Sequence, residues 1–171
     1  EAMQGVIRDG MAAGALGLSF NRNPAHFDME GRLVPGSVAP ISELLALAEA
    51  LRGLDAGILQ CGAAYPLEIS ERLCTRLAQI SGRPMVYNQI VHRWSDPDRW
   101  KEHLVIVEER IREGNQVYPL INPRPGNSRF TLKNGQVFDR LPSWQPIMRE
   151  SPEKKMTAFR DPEVRRRLHA E

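Results

Sequence analysis

Asn88, Gln89 and His92 fall close together at the end of an otherwise apolar stretch that follows Pro84. Two carboxamides and an imidazole at a strand end can hold a polar ligand, and the imidazole can also ligate a metal or exchange a proton. His92 can equally be a structural hydrogen-bonding group just beyond the strand. A second polar concentration, Asn21, Arg22, Asn23, His26, Asp28 and Arg32, lies in a connection of roughly twenty residues, where compact α/β units use about 2–6. Phe27, Leu33, Val34 and Pro35 are interleaved with it, which favours an ordered loop over a linker. Such a loop either covers a substrate or makes an exposed excursion. Gln60-Cys61-Gly62 and Asn122-Pro123-Arg124-Pro125 complete the set. Arg124 could grip a carboxylate through both arms of its guanidinium, or occupy a surface turn.

Familiar catalytic patterns are missing. The sequence holds no HxH pair, HExxH, CxxC, GxSxG or Walker-type loop, each of which would tie a spacing to a metal, a nucleophile or a phosphate. The residues alone therefore specify binding groups and no catalytic machinery.

The elements that must position these groups follow from hydrophobic periodicity. Apolar runs at 16–20, 56–61, 85–91 and 116–121 predict four strands. Between them, helical spacing predicts a helix over 1–14 with Met3, Val6, Ile7 and Met11 inward. A second begins at Ser42 and buries Leu44, Leu47, Ala48 and Leu51. A third starts near Ser70 and buries Leu73, Leu77 and Ile80. Asp96-Pro97 predicts the start of a fourth, with Trp100, Leu104, Val107 and Ile111 inward. His103 falls in this helix as a structural residue. Asn134-Gly135 suggests a hairpin turn, and short helices are expected near 141–148 and after Ser151 and Asp161. Trp94, Trp100 and Trp144 read as core or cover, and Arg165 to Arg167 as a solvated helix face.

Strand–helix alternation in units of roughly 30–40 residues points to parallel βαβ units with right-handed crossovers. Four such strands suit part of an eight-stranded (β/α)8 TIM barrel or a small doubly wound sheet. The barrel is favoured, because no glycine-rich phosphate fingerprint follows any strand. The long connections also fall after the first and fourth strands, where a barrel builds its site.

A chain of 171 residues, 42% of them hydrophobic, can bury one ordinary core. Its 23 basic and 21 acidic residues leave a charge of +2, which gives no ground for a nucleic-acid partner. No apolar run approaches the roughly 18 residues of a membrane helix, so no membrane partner is expected. Two cysteines, Cys61 and Cys74, fit free buried thiols in a reducing cytoplasm. A homo-oligomer is compatible with all of this. Both ends fall inside helical patterns, so residues 1–171 are expected to be the central part of a longer domain.

The stretch Met11-Ala-Ala-Gly-Ala-Leu-Gly-Leu-Ser19, then Val34-Pro35-Gly36 and Glu43-Leu-Leu-Ala-Leu-Ala48, resembles the D-aminoacylase group of the amidohydrolase superfamily. In that group an AGALGxS stretch leads through a polar loop into a helix reading EELLALA. Gly82 to Asn88, Gly114 to Pro119 and Phe159 to Arg165 resemble its longer members, the N-acyl-D-amino-acid and N-acyl-D-glutamate deacylases. The likeness spans nearly the whole chain, and its first motif is the most specific.

The resemblance implies a metal-dependent hydrolase with a TIM-barrel catalytic domain and a small β-domain. The implied reaction is hydrolysis of an amide to a carboxylate and a D-amino acid, with zinc or another divalent metal activating water and an aspartate moving the proton. The family's HxH pair would lie upstream of these residues and its aspartate downstream. Its other metal histidines fall where this chain has Gln60, Cys61 and Gly62, and nearest Gln89, with His92 three residues on. His92 is thus the metal ligand the resemblance offers. Ser19, Arg22 and His26 belong to the implied substrate loop, with Asn88, Gln89 and Arg124 as further substrate-binding residues. A small-molecule amide is the implied partner. A catalytically silent barrel of the same superfamily, binding an acylated ligand without turnover, is the alternative, and a self-contained doubly wound binding domain is a third.

Overall fold

The computed structural model describes residues 1–24, 26–28, 30–62, 67–92, 96–121, 123–124, 129–133, 135–138 and 141–171; for 67–71, 89 and 136 it describes the backbone alone. The chain divides into two compact units, Glu1–Pro24 with Val34–Pro125, and Ala25–Leu33 with Gly126–Glu171.

The first unit is a four-stranded parallel sheet alternating with helices. Its strands are β1 (Gly17–Asn21), β2 (Ile58–Gly62), β3 (Met85–Ile90) and β4 (Val117–Ile121), in the spatial order β1-β2-β3-β4. Register puts Leu18, Leu59, Met85 and Val117 in one row across the sheet, and Phe20, Cys61, Tyr87 and Pro119 in the next. Side chains alternate along a strand, so these rows share one face. Leu44, Ala48 and Leu51 from α3 (Ile41–Glu49) and its exit pack there. Leu73, Cys74, Leu77 and Ala78 of α4 (Leu67–Ser81) join them, with Val107 of α5 (Arg99–Arg112). Leu51, Leu59 and Leu77 are fully buried, each contributing about 2–3 kcal/mol of transfer free energy.

Successive right-handed crossovers in one direction place every helix on the same side of a sheet. A doubly wound sheet instead reverses its strand order at a switch point, and this order has no reversal. The arrangement is that of part of a (β/α)8 barrel, as periodicity predicts.

Local differences have local causes. β2 begins at Ile58, because Gly57 turns at φ +127. α3 starts at Ile41 after Pro40, whose carbonyl accepts from the amides of Glu43 and Leu44; Ser42 is inside the helix and does not cap it. α5 starts at Arg99, after Asp98 and not Asp96; the Asp98 carboxylate bonds Lys101 Nζ at 2.7 Å. His103 and Val107 are the buried residues of α5, Trp100 and Leu104 are half-buried, and Ile111 lies at the surface. The opening helix α1 (Ala2–Ala12) buries no residue, and Met3 and Val6 are exposed. Only Ile7 reaches the core, as a partly buried neighbour.

The second unit holds α6 (Gln145–Met148), α7 (Pro152–Arg160) and α8 (Pro162–His169), with an antiparallel bridge between Phe27 and Leu33. Ser151 caps α7 and Asp161 caps α8, as their positions before proline predict. Trp144 stacks on Phe138 with ring centroids 4.4 Å apart and donates its indole N–H to the Leu168 carbonyl at 3.0 Å. It is half-buried and serves as cover over the aromatic cluster of this unit. Arg165, Arg166 and Arg167 are exposed, the last two on the final turn of α8. Asn134 of the expected hairpin lies outside the described residues, and Gln136–Phe138 form a short 3-10 turn. Among the described residues no helix is long and apolar enough to cross a membrane.

Candidate functional site

The sheet face turned away from α3, α4 and α5 carries the residues between the core positions. Ser19, Gln60, Val86 and Tyr118 are in register across all four strands. Here the Ser19 hydroxyl donates to Gln60 Oε1, and Gln60 Nε2 donates to Asn88 Oδ1 at 3.3 Å. A three-residue relay thus crosses β1, β2 and β3, flanked by the exposed side chains of Ile58, Tyr118 and Leu120.

Two close approaches hold β1 in this register. A β-carbon at Gly17 would fall 1.9 Å from the Ile58 carbonyl oxygen, so only glycine lets β1 enter beside β2. Downstream, α2 (Pro35–Val38) seats on β1: a β-carbon at Gly36 would stand 2.9 Å from the Asn21 carbonyl oxygen. Pro35 supplies the first residue of that short helix. The resemblance residues Gly17, Ser19, Pro35 and Gly36 therefore have physical work in assembling this face.

Arg22 spends its guanidinium on backbone. It donates to the carbonyls of Gly36, at 3.3 Å, and of Ala39. Ser37 Oγ donates to the Asn23 carbonyl at 2.7 Å, and Asn21 Oδ1 accepts from the Asn23 amide at 2.9 Å. The two ends of the long connection within this unit are thereby tied to each other.

Behind the relay, Cys61 faces the helices with its thiol beside that of Cys74. Hydrogen bonding from Cys74 holds the Cys61 thiol below its ordinary range; burial works against this, and the Arg22 charge adds to it. Neither cysteine is in a disulfide.

The structure brings Ser19 and Asn88 together through Gln60, and places the other sequence-nominated residues elsewhere. His92 is exposed just past β3, within electrostatic reach of Asp98, whose carboxyl is lowered chiefly by Lys101 and slightly by His92. His26 is half-buried in the second unit, and Arg124 is exposed in the bend after β4. The Gln89 side chain lies outside the described residues. No family model, curated protein or solved structure matches the chain.

The donor set near the relay does not fit zinc. Ser19, Gln60 and Asn88 offer neutral oxygens already engaged with one another, whereas zinc takes imidazole, thiolate and carboxylate. The nearby thiol, Cys61, faces the opposite side of the sheet. Among the described residues no three His, Cys, Asp or Glu side chains converge on one point.

What the relay can do follows from its proton inventory. With Ser19 donating and Gln60 passing the bond on, Asn88 is left with amide N–H groups to offer, and the Ser19 oxygen retains lone pairs. The face can therefore donate to a carbonyl or carboxylate and accept from an N–H, beside apolar cover. None of its three residues titrates near neutrality, so it positions a ligand and moves no proton.

Alternation alone nominates Gln60: Leu59 and Cys61 are apolar, so Gln60 must face the other way, as Ser19 does between Leu18 and Phe20. What the sequence does not carry is the register that makes them neighbours.

Proposed function

We propose that this chain supplies the substrate-positioning face of an amidohydrolase-type enzyme that cleaves the C–N bond of an N-acyl-D-amino acid or a related amide. The observation that carries the reading is the Ser19–Gln60–Asn88 relay on a parallel-sheet face flanked by Ile58, Tyr118 and Leu120. An N-acyl amino acid presents an amide carbonyl, an amide N–H and a carboxylate next to an apolar acyl chain. Asn88 suits the carbonyl or carboxylate, Ser19 suits the N–H, and the apolar neighbours suit the chain. In the reaction, water adds to the carbonyl carbon, the C–N bond breaks, and the nitrogen takes up a proton to leave as the amine. The motif residues around Gly17 and Gly36 support the same reading, and so does the sequential strand order. A divalent metal such as zinc belongs to it through the resemblance, and the roles given to Ser19, Gln60 and Asn88 do not depend on that metal. A cytoplasmic location goes with it, since two buried cysteines outside any disulfide suit a reducing compartment.

One observation favours a second reading, a catalytically silent barrel that binds an acylated ligand. The relay contains no group able to act as acid or base.

The test uses purified protein, N-acetyl-D- and N-acetyl-L-amino acids, and release of acetate as the readout, with chelator or zinc present. The hydrolase reading expects turnover whose kcat/KM falls about 10- to 100-fold in Gln60→Ala and Asn88→Ala, the loss of one or two hydrogen bonds. Saturable binding without turnover, weakened by the same variants, selects the silent barrel. Neither binding nor turnover overturns both.

A further inference from the structure

At the end of the sheet away from Asn88, a cavity of about 160 Å³ opens between the C-termini of α4 and α5. Gln79, Gly82, Arg83, Gly114, Asn115 and Gln116 line it. Both turns are built alike. Gly82 at φ +66 and Gly114 at φ +85 end the two helices in the left-handed region that glycine tolerates. Their amides satisfy last-turn carbonyls, Gly82 on Ala78 and Gly114 on Ile111, each at 2.9 Å. The Gln116 carbonyl accepts from the Met85 amide at 2.8 Å, which fixes the turns side by side. Gln79 Nε2 donates to Asn115 Oδ1 at 2.9 Å and closes one wall.

Arg83 is the anomaly in this frame. Its backbone amide donates to Ser81 Oγ at 3.1 Å, but its side-chain Nε is buried and has no acceptor. A charged N–H taken from water without a partner is costly, and native structures rarely leave one so. The cavity beside it has room for roughly five water-sized groups of about 30 Å³ each. The other charges close by do not compensate Arg83. Glu113 is held by Arg110 at 2.7 Å and accepts from Asn115 Nδ2 at 3.5 Å, and Arg52 adds a further positive charge through its 3.4 Å bond to the Gln79 carbonyl. Helix C-termini disfavour an anion; here the carbonyls of Ala78, Arg110 and Ile111 are bonded to the turn amides of Gly82, Asn115 and Gly114.

We propose that this cavity binds a small oxyanion, held by the Arg83 guanidinium. The planar fork of Nε and Nη matches paired oxygens, which a carboxylate and a phosphate both present. The site lies before the N-terminal ends of β3 and β4, lined by none of the relay residues Ser19, Gln60 and Asn88, and is independent of the amide-hydrolysis reading.

The experiment is an NMR titration of the isotopically labelled full chain with inorganic phosphate, and separately with acetate. Chloride serves as the control at equal ionic strength. Saturable shifts of the Arg83 Nε–H and of the Gly82, Gly114 and Asn115 amides are expected, and the tighter anion identifies the source. Arg83→Gln should abolish saturation, and Arg83→Lys, which keeps the charge but not the fork, should weaken it about tenfold. Shifts that grow without saturating and match chloride would overturn the proposal. So would saturation that survives in Arg83→Gln.

Discussion

The phenolic oxygen of Tyr87 stands 2.7 Å from Nε2 of His103, with both side chains out of solvent. Their rings lie 5.5 Å apart, tilted by 31°. The bond joins the middle of β3 to the inner face of α5. Tyr87→Phe keeps the ring and removes the hydroxyl that meets the buried His103. A loss of about 1–2 kcal/mol is expected, read as a lower urea midpoint at unchanged slope. A midpoint equal to the parent's would remove this bond from the account of how α5 is held.

Two glycines should respond to alanine with opposite signs. At Gly17 the new methyl meets the Ile58 carbonyl, so Gly17→Ala should cost about 3 kcal/mol, by prising β1 from β2. At Gly5, inside α1, nothing lies within 4 Å. Gly5→Ala should stabilise by about 0.5–1 kcal/mol through helix propensity alone. Paired thermal melts check both, and two shifts of the same sign would contradict the geometry.

The Cys61 thiol is lower in the folded chain than in the unfolded one, chiefly through Cys74 and further through Arg22, against the effect of burial. Folding therefore favours the thiolate. The associated stability is fully present above the unfolded thiol pKa and is lost as pH falls through the folded one. Relative to Cys61→Ser, the protein should gain stability as pH rises between those two points. Cys74→Ala should raise the Cys61 pKa most and Arg22→Gln less, measured from thiolate ultraviolet absorbance against pH. One titration curve shared by all three proteins would exclude both causes.

In the second unit, Asp161 accepts from the Glu163 amide at 2.8 Å, and Ser151 from that of Lys154 at 3.4 Å. Asp161→Ala should lower stability by about 1 kcal/mol, and Asp161→Asn, which keeps the oxygen, by much less. Ser151→Ala should lose less than Asp161→Ala, because its bond is longer. Helical content by circular dichroism would show the order; a reversed order refutes the assignment of the caps.

Much of the frame was legible because it depends on residue type and spacing. Leu59 and Cys61 alternate with Gln60, and Leu73 and Leu77 recur at helical spacing, so strand and helix faces could be written down in advance. Boundaries were less legible. Asp96-Pro97 predicts the start of α5, but the helix begins at Arg99, with His103 buried on its inner face and Trp100 and Leu104 half-buried beside it. The long connection after β1 was readable as ordered, but its means of attachment, Arg22 on the Gly36 and Ala39 carbonyls, was not, since backbone acceptors have no signature in the sequence.

The sequence by itself determined which residues alternate and which helices are amphipathic, because these depend on neighbours within about one turn or one pleat, and the alternation of strands with crossover-length helices pointed to parallel pairing. Tertiary structure alone decided that Ser19, Gln60 and Asn88 form one relay, that Tyr87 meets His103, and that Arg83 borders a cavity. Those pairings span 41, 28 and 16 residues for Ser19–Gln60, Gln60–Asn88 and Tyr87–His103. They are fixed by strand register and helix rotation, which the whole packed core sets at once.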